Sequence, residues 1–537
     1  MSEAPAWATL DIGELDALLA RASNALDAQD HEQLRLTVAG FIELLRLLED
    51  KRMTIQRLRQ MLFGARTEKS RDVLAHERDD PSSTSASNVK SKGQKPPPKG
   101  HGRRPANDYT GATTLAITHP TLQPGHGCPH CEKGKVYPQR EPAVMIRIVG
   151  QAPLGATRCE LDKLRCHLCG EVFTAPPPED VGNEKYDDSA AAMIAMLKYG
   201  SGFPFYRLEG MQHHLGIPVP ASTQWDIVKR AAAQLVPVHE ELIRHGAQGE
   251  LMHNDDTTMR VLELMCPDTR REAFAELSPE RSGVFTSAIV SNHEQHTIAL
   301  FFTGAKHAGE NLAQVLTQRA SELAPPIQMC DALSRNVPCE FDTLLANCNA
   351  HGRRKFVELV PNFPNECRYV LETLRAVYKN DAIAKNNELT AEQRLVFHQT
   401  HSGPLMNDLH AWMNTQIDDK LVEPNSGLGQ AIAYMSNHWL KLTLFLRVAG
   451  APLDNNICER TLKKAILHRK ASLFFKTLNG ARVGDLFMAL IYTCQLEGVD
   501  PFDYLTELLE HAEELVLHPG QWMPWNYRDT LARAGPS

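Results

Sequence analysis

The chain has 537 residues, too many for one hydrophobic core, so several domains of ~100–200 residues are expected. Its 57 Lys and Arg against 65 Asp and Glu give a formal charge of −8, which excludes a globally basic nucleic-acid binder but leaves local basic stripes open. No apolar run reaches the ~18 residues of a membrane span, and the start MSEAPAWATLD lacks a basic-then-apolar leader, so a soluble, cytoplasmic protein is expected.

The first predicted element is a long helix. Leu34, Phe41, Leu48, Ile55 and Leu62 recur every seven positions, with Leu44 and Leu58 at the companion positions, and the run ends at Gly64. That is a coiled-coil seam, which predicts a helical oligomerisation region over 1–75 and a homodimer or higher oligomer. A packed amphipathic helix within a monomer would show a similar stripe, and Lys51 falls on the seam. Residues 76–107 follow as a linker, because SKGQKPPPKGHGRRP has too much proline and too little apolar content for a core. Lys95, Lys99, Arg103 and Arg104 stand there without an acid among them and suit phosphate contact.

Two C-x-x-C knuckles come next, Cys128–Cys131 and Cys166–Cys169, about 34 residues apart. Four thiolates close a tetrahedral shell, so a structural Zn²⁺ is expected in a zinc-ribbon-like module over 108–180. Cys159 is a spare ligand, and a redox pair is the competing reading. From 181 to 245 the pattern is helical. A helix through Tyr206 to Leu215 breaks at GIPVP, and Ser222 or Thr223 offers an N-cap for a second, giving a helix-turn-helix-like shape.

After Gly249 short apolar runs alternate with polar turns: ELMHND, TMRVLELM, GVFTSAIVS and HTIALFFT. A helix-like AGENLAQVLTQRA and the strand-like PIQMCDA follow, which makes an α/β layered sheet. The signal is helical from Phe356 to about Pro452, and α/β structure is expected to resume after Asp454.

Carboxylates stand at three of these element ends. Asp255 and Asp256 close the first strand-like run, and period-two alternation sends only one of them to a given face. Asp331 closes a later run, and Glu459 lies on a predicted helix among Arg460, Lys463, Lys464, Arg469 and Lys470. Oxygen ligands brought together there would hold two Mg²⁺ ions for attack on a phosphodiester. Alternatively, Glu459 is a surface residue paired with Lys463 one turn on. Cys348-Asn349-Ala350-His351 leads into a helix carrying Arg353, Arg354 and Lys355, cations suited to gripping phosphates. His351 suits a phosphate contact or the orienting of a ligand.

Together these stretches resemble the DDE transposases of the insertion sequence 66 family. The resemblance is carried by LFGARTEKS, GRRP, the double C-x-x-C, KYGSGFPFYRLEGMQHHLGI, HNDDT, CNAHGRRKF, DNNICERTLKKAILHRK and EGVDPFDYL, in that order along most of the chain. It implies an RNase H-like catalytic domain over 246–356 and 454–500, interrupted by a helical insertion at 357–453, with a C-terminal helix and tail at 501–537. It places the catalytic, metal-binding acids on Asp255, Asp331 and Glu459, with Mg²⁺ or Mn²⁺ as the catalytic ion. Cys348-x-x-His351 is similar to a signature of related enzymes with such an insertion. Asp256 stands where the family reads Glu, which leaves it as an alternative ligand. Ala332-Leu333 replaces Gly-Tyr, and Asn349 replaces Trp.

The expected activity is therefore binding of double-stranded DNA at the terminal inverted repeats of a bacterial insertion sequence, metal-dependent strand cleavage, and strand transfer to target DNA. A noncatalytic DNA-binding regulator and a nuclease that only hydrolyses are the rival readings. The sequence leaves open whether accessory proteins of the same element take part.

Overall fold

A computed structural model of the protein describes Leu34, residues 120–137 apart from 128 and 132, and 151–165, 172–176, 184–274, 281 and 283–534. The rest of the seven-residue seam and the basic linker with Lys95, Lys99, Arg103 and Arg104 lie outside the described residues, as do Cys128, Cys166 and Cys169. Cys131 is exposed. On either side of the second knuckle, β1 (Lys163–Arg165) pairs antiparallel with β2 (Val172–Thr174).

The main sheet has five strands: β3 (Leu251–Thr258), β4 (Phe285–His293), β5 (His296–Gly304), β6 (Ile327–Cys330) and β7 (Leu344–Asn347). Their order is β5-β4-β3-β6-β7. The first three form an antiparallel meander, then β6 runs parallel to β3 and β7 parallel to β6. All four residues of β6 are buried, as expected of a parallel strand covered on both faces.

The strand-like run TMRVLELM is not a strand. Thr258 ends β3, and beyond it only Val261 bridges, to Phe475; Glu263–Met265 turns as a 3-10 helix, and the N–H groups of Leu262 and Glu263 donate to the carbonyls of Phe475 and Lys476. Met259, Val261 and Leu264 are buried without a ladder, which periodicity cannot distinguish, and Met265 is exposed.

Helix α1 (Ala221–Ala247) is 27 residues long and precedes β3. Pro220 stands at its N-cap without a side-chain cap, so Ser222 and Thr223 lie inside the first turn rather than capping it. The preceding helix, Phe205–His214, ends one residue before Leu215, and Gly216 takes φ +77° to turn the chain. These helices build no separate core. Leu235, Val238 and Leu242 of α1 share one buried cluster with Met252, Ile298 and Leu300 of the sheet. Gly246 is part of that fit, since a Cβ there would stand 3.0 Å from Leu300 Cδ1.

α2 (Ala308–Leu316) crosses from β5 towards β6, and α3 (Asn349–Leu359) follows β7. The described chain is helical from there onward, through α4 (Asn456–Ser472), α5 (Leu478–Glu497) and the helices Pro501–Glu510, Ala512–Leu517 and Tyr527–Ala534. After Asp454, where α/β structure was expected to resume, no further strand occurs among the described residues.

α5 covers the edge strand. The carboxylate of Asp485 accepts from Thr303 N at 2.7 Å, Thr493 Oγ1 accepts from Ala299 N at 3.1 Å, and Glu497 accepts from Thr297 N at 2.7 Å. Three N–H groups that β5 would otherwise present to solvent are thus satisfied by one helix face. Burial pushes the Asp485 carboxyl up to about 7.

The described residues divide into two compact units. The sheet, α1, α2, α4 and α5 belong to one of them, together with Asn380–Met406. The other takes in Arg353–Lys379 and Asn407–Ile432, where Cys367, Val370, Leu371, Leu374 and Val377 form a buried helical stripe. The Tyr369 and Trp412 rings there lie 5.0 Å apart.

Candidate active site

The two adjacent acids of β3 have different surroundings. Asp256 Oδ2 accepts from His307 Nδ1 at 2.8 Å, and its Oδ1 pairs with Arg335 at 3.4 Å, with the carboxylate only 2% exposed. Both of its oxygens are therefore occupied by the protein's own side chains. Asp255 faces the other way, and its Oδ1 accepts from Asp256 N at 2.8 Å. Burial first, then the charges of Asp331, Asp256 and Glu459, push its carboxyl up to about 7. Of the two adjacent acids, Asp255 is the one brought among the other predicted acids.

Asp331 follows β6, the parallel neighbour of β3. Its Oδ1 accepts from Asn336 Nδ2 at 2.5 Å and Leu333 N at 3.1 Å, and its carbonyl accepts from Asn347 Nδ2 at 3.2 Å. Glu459 comes from the first turn of α4, whose face of Cys458, Thr461, Leu462, Ala465 and His468 is buried. The Cys458 thiol donates to Ala288 O at 3.4 Å, which seats the helix on β4.

What holds α4 there is a residue that sequence reasoning missed. Asn455 stands at the N-cap position but does not cap. Its Oδ1 accepts from His253 Nδ1 at 2.9 Å, its Nδ2 donates to Asn254 O at 3.1 Å, and its N–H donates to Cys348 Sγ at 3.3 Å. Asn254 in turn donates to Asn336 O at 2.7 Å and accepts from Gln328 Nε2 at 2.9 Å. These buried side chains join β3, β6, the loop after Asp331 and the start of α4 into one network, where each bond is strengthened by the low local polarity. The asparagines of HND and DNN, each beside a predicted acid, were the available signal.

Glu459 does not pair with Lys463: among the described residues its ion-pair partner is His351, with Nδ1 to Oε1 at 3.8 Å. Arg460, Lys463 and Lys470 are exposed on one stripe of α4 with Leu467 between them. Lys464 lies over the Tyr492 ring at 5.2 Å. Arg469 turns inward, donating to Thr257 Oγ1 at 3.2 Å, to Thr258 Oγ1 at 2.9 Å and to the Thr258 carbonyl, so it ties the end of α4 to the end of β3. On α3, Arg354 and Lys355 are exposed and Arg353 is half-buried.

Asp331, just after β6, and Glu459, on α4, thus each come within electrostatic reach of Asp255 on β3. Their donor atoms are all carboxylate oxygens, which suit a hard divalent cation such as Mg²⁺. Burial raises Asp255 most, and the part added by the neighbouring carboxylates is what such a cation would relieve.

The family model described as "Transposase IS66 family" matches residues 184–483, which include all three acids. The uncharacterized protein y4hP of Sinorhizobium fredii is 26% identical over 396 residues, covering 69% of this chain and 68% of the relative. The uncharacterized protein y4jD of the same organism is 24% identical over 531 residues, covering 93% of this chain and 98% of the relative. With more than half of its length matched by the family model, the chain belongs to the IS66 family of transposases.

Proposed function

We propose that this transposase binds the terminal inverted repeats of an insertion sequence, cleaves DNA there, and joins the freed 3′-hydroxyl to target DNA. The observation that carries the reading is the convergence of Asp255, Asp331 and Glu459, with burial and the neighbouring carboxylates together raising Asp255. These residues would hold Mg²⁺ or Mn²⁺, which when bound activates the attacking water or 3′-hydroxyl and stabilises the leaving oxygen. Asn455 positions Glu459 by fixing the start of α4, and Asn336 orients Asp331. Asp256 serves the fold through His307 and Arg335 rather than ligating metal.

The strand order supports reading the sheet with α4 and α5 as an RNase H-like domain over 246–356 and 454–500, and the helices of 357–453 suit an insertion within it. Arg460, Lys463 and Lys470 form the DNA face of α4, with Lys464 beside them, and Arg353, Arg354, Lys355 and His351 contribute from α3. Lys95, Lys99, Arg103 and Arg104 of the linker add contacts that do not depend on sequence. Cys128, Cys131, Cys166 and Cys169 hold a structural Zn²⁺, and the helical region 1–75 pairs protomers so that two DNA ends meet. Among the described residues, no helix is long and apolar enough to cross a membrane.

The test is incubation of the purified protein with end-containing DNA and Mg²⁺, followed by pre-cut ends with a target plasmid. Cleavage at the ends and joining of the pre-cut 3′-hydroxyl are expected. Cleavage without joining would make the protein a nuclease, and binding without either would make it a regulator.

A further inference from the structure

Beside the three acids lies a second cluster with a different donor set. Cys348, His351 and Glu459 each bring one ligand atom to a common point, all within 4.8 Å of one another. Cys348 is fully buried. Burial pushes the Cys348 thiol up to about 11, and the backbone N–H groups of Asn455, His351 and Ala350 that face its sulfur offset part of that rise. His351 follows on the first turn of α3, and Glu459 enters from α4.

His351 Nδ1 and Glu459 Oε1 are both buried and have no hydrogen-bond partner, although they stand only 3.8 Å apart. That spacing is too long for a hydrogen bond. It is close to the separation of about 3.5 Å between ligand atoms that share a tetrahedral ion through bonds of about 2.0–2.3 Å. A cation between them would satisfy both of these polar atoms beside the sulfur.

We propose that Cys348, His351 and Glu459 form a site for a thiophilic divalent cation of the zinc class, and that its occupancy draws Glu459 away from Asp255 and Asp331. Thiolate and imidazole select zinc over magnesium, whereas the all-oxygen set does the reverse, so one glutamate is shared by two sites of opposite preference. Three protein ligands leave a fourth position for water. The site itself is independent of the proposed DNA chemistry. Its inhibitory consequence rests on that reading, because it needs Glu459 to serve Mg²⁺.

The experiment uses full-length protein pre-loaded with Zn²⁺ at the knuckle cysteines and titrates it with Co²⁺, following the near-ultraviolet sulfur-to-metal charge-transfer band. About one further equivalent is expected to generate the band in the wild type and not in Cys348→Ser, where the serine hydroxyl still accepts from Asn455. His351→Ala should bind Co²⁺ roughly tenfold more weakly or worse, since even residues that only orient ligands contribute that much. In a second arm, Zn²⁺ should suppress Mg²⁺-dependent cleavage by the wild type but leave Cys348→Ser at its own zinc-free rate. Superposable titrations of wild type and Cys348→Ser overturn the site and leave His351 as an ion-pair partner of Glu459. A Cys348-dependent band without inhibition overturns the withdrawal of Glu459. Absence of any cleavage by the wild type is a failure of the proposed function, which the cobalt arm does not share.

Discussion

Asp255 carries a pH dependence that follows from its surroundings. In the metal-free fold its carboxyl sits at about 7 against an ordinary value of 3.8, because burial and the adjacent carboxylates disfavour the charge. A folded value raised above the unfolded one means that the contribution to stability is complete below pH ~4 and is lost as pH rises through ~7. Asp255→Asn has no charge to bury. Without Mg²⁺ it is expected to exceed the wild type by about 1–4 kcal/mol at pH 8 in urea unfolding, with the gap closing towards pH 4. Added Mg²⁺ should narrow the gap at pH 8 by stabilising only the wild type. Parallel pH–stability curves for the two proteins would contradict the crowding of acids around Asp255. At this scale the sequence was partly legible. Alternation separated Asp255 from Asp256 but could not say which faced the other acids, because His307 and Arg335, which occupy Asp256, are 51 and 79 residues away in the chain. Asn455 was illegible for the same reason: an asparagine before a helix reads as a cap, and its partners His253 and Asn254 are on another element.

Helix α4 unites both functions assigned to the site. One face is buried on β3 and β4, and the exposed stripe of Arg460, Lys463 and Lys470 lies one position around from Glu459. Charge spacing made the basic run visible, whereas only the structure separates its members: Arg469 is bound to Thr257 and Thr258, and Lys464 to the Tyr492 ring. Replacing Arg460, Lys463 and Lys470 together by Ala should weaken end and random DNA alike, because phosphate contacts carry no sequence information. The slope of log affinity against log salt should fall by about 2–3, at ~0.9 per released counterion. An unchanged slope by fluorescence anisotropy would remove this stripe from the DNA interface. Element types were otherwise legible where periodicity was long, as in β4 and β5, and illegible in TMRVLELM, whose Met259, Val261 and Leu264 are buried without a ladder.

At the scale of the molecule, the sequence suggested a row of modules, and the fold merges two of them. α1 looked like part of a separate helical unit, yet Leu235 and Leu242 share a core with Ile298 and Leu300, and so do Tyr504 and Trp522 from the C-terminal helices. Composition marks a linker but cannot reveal which amphipathic faces meet. Deleting residues 1–64 should therefore leave this core folded, with the oligomer reduced and pairing of two DNA ends lost. Cleavage of a single end should be less affected. Light scattering that gives the same oligomer with and without the segment would count against self-association through the seam.

The most direct measurement compares wild-type and Glu459→Gln protein in binding and in Mg²⁺-dependent cleavage of the same end-containing DNA. Glutamine keeps the size and removes the charge, and Glu459 makes no ion pair with Lys463 among the described residues whose loss would unfold α4. The variant is expected to retain its fold and its affinity for the ends, and to lose cleavage and strand joining by ~10³-fold or more, with Mn²⁺ restoring only a trace. Cleavage by Glu459→Gln at the wild-type rate would contradict the assignment of Glu459 to the metal, and with it the three-acid site.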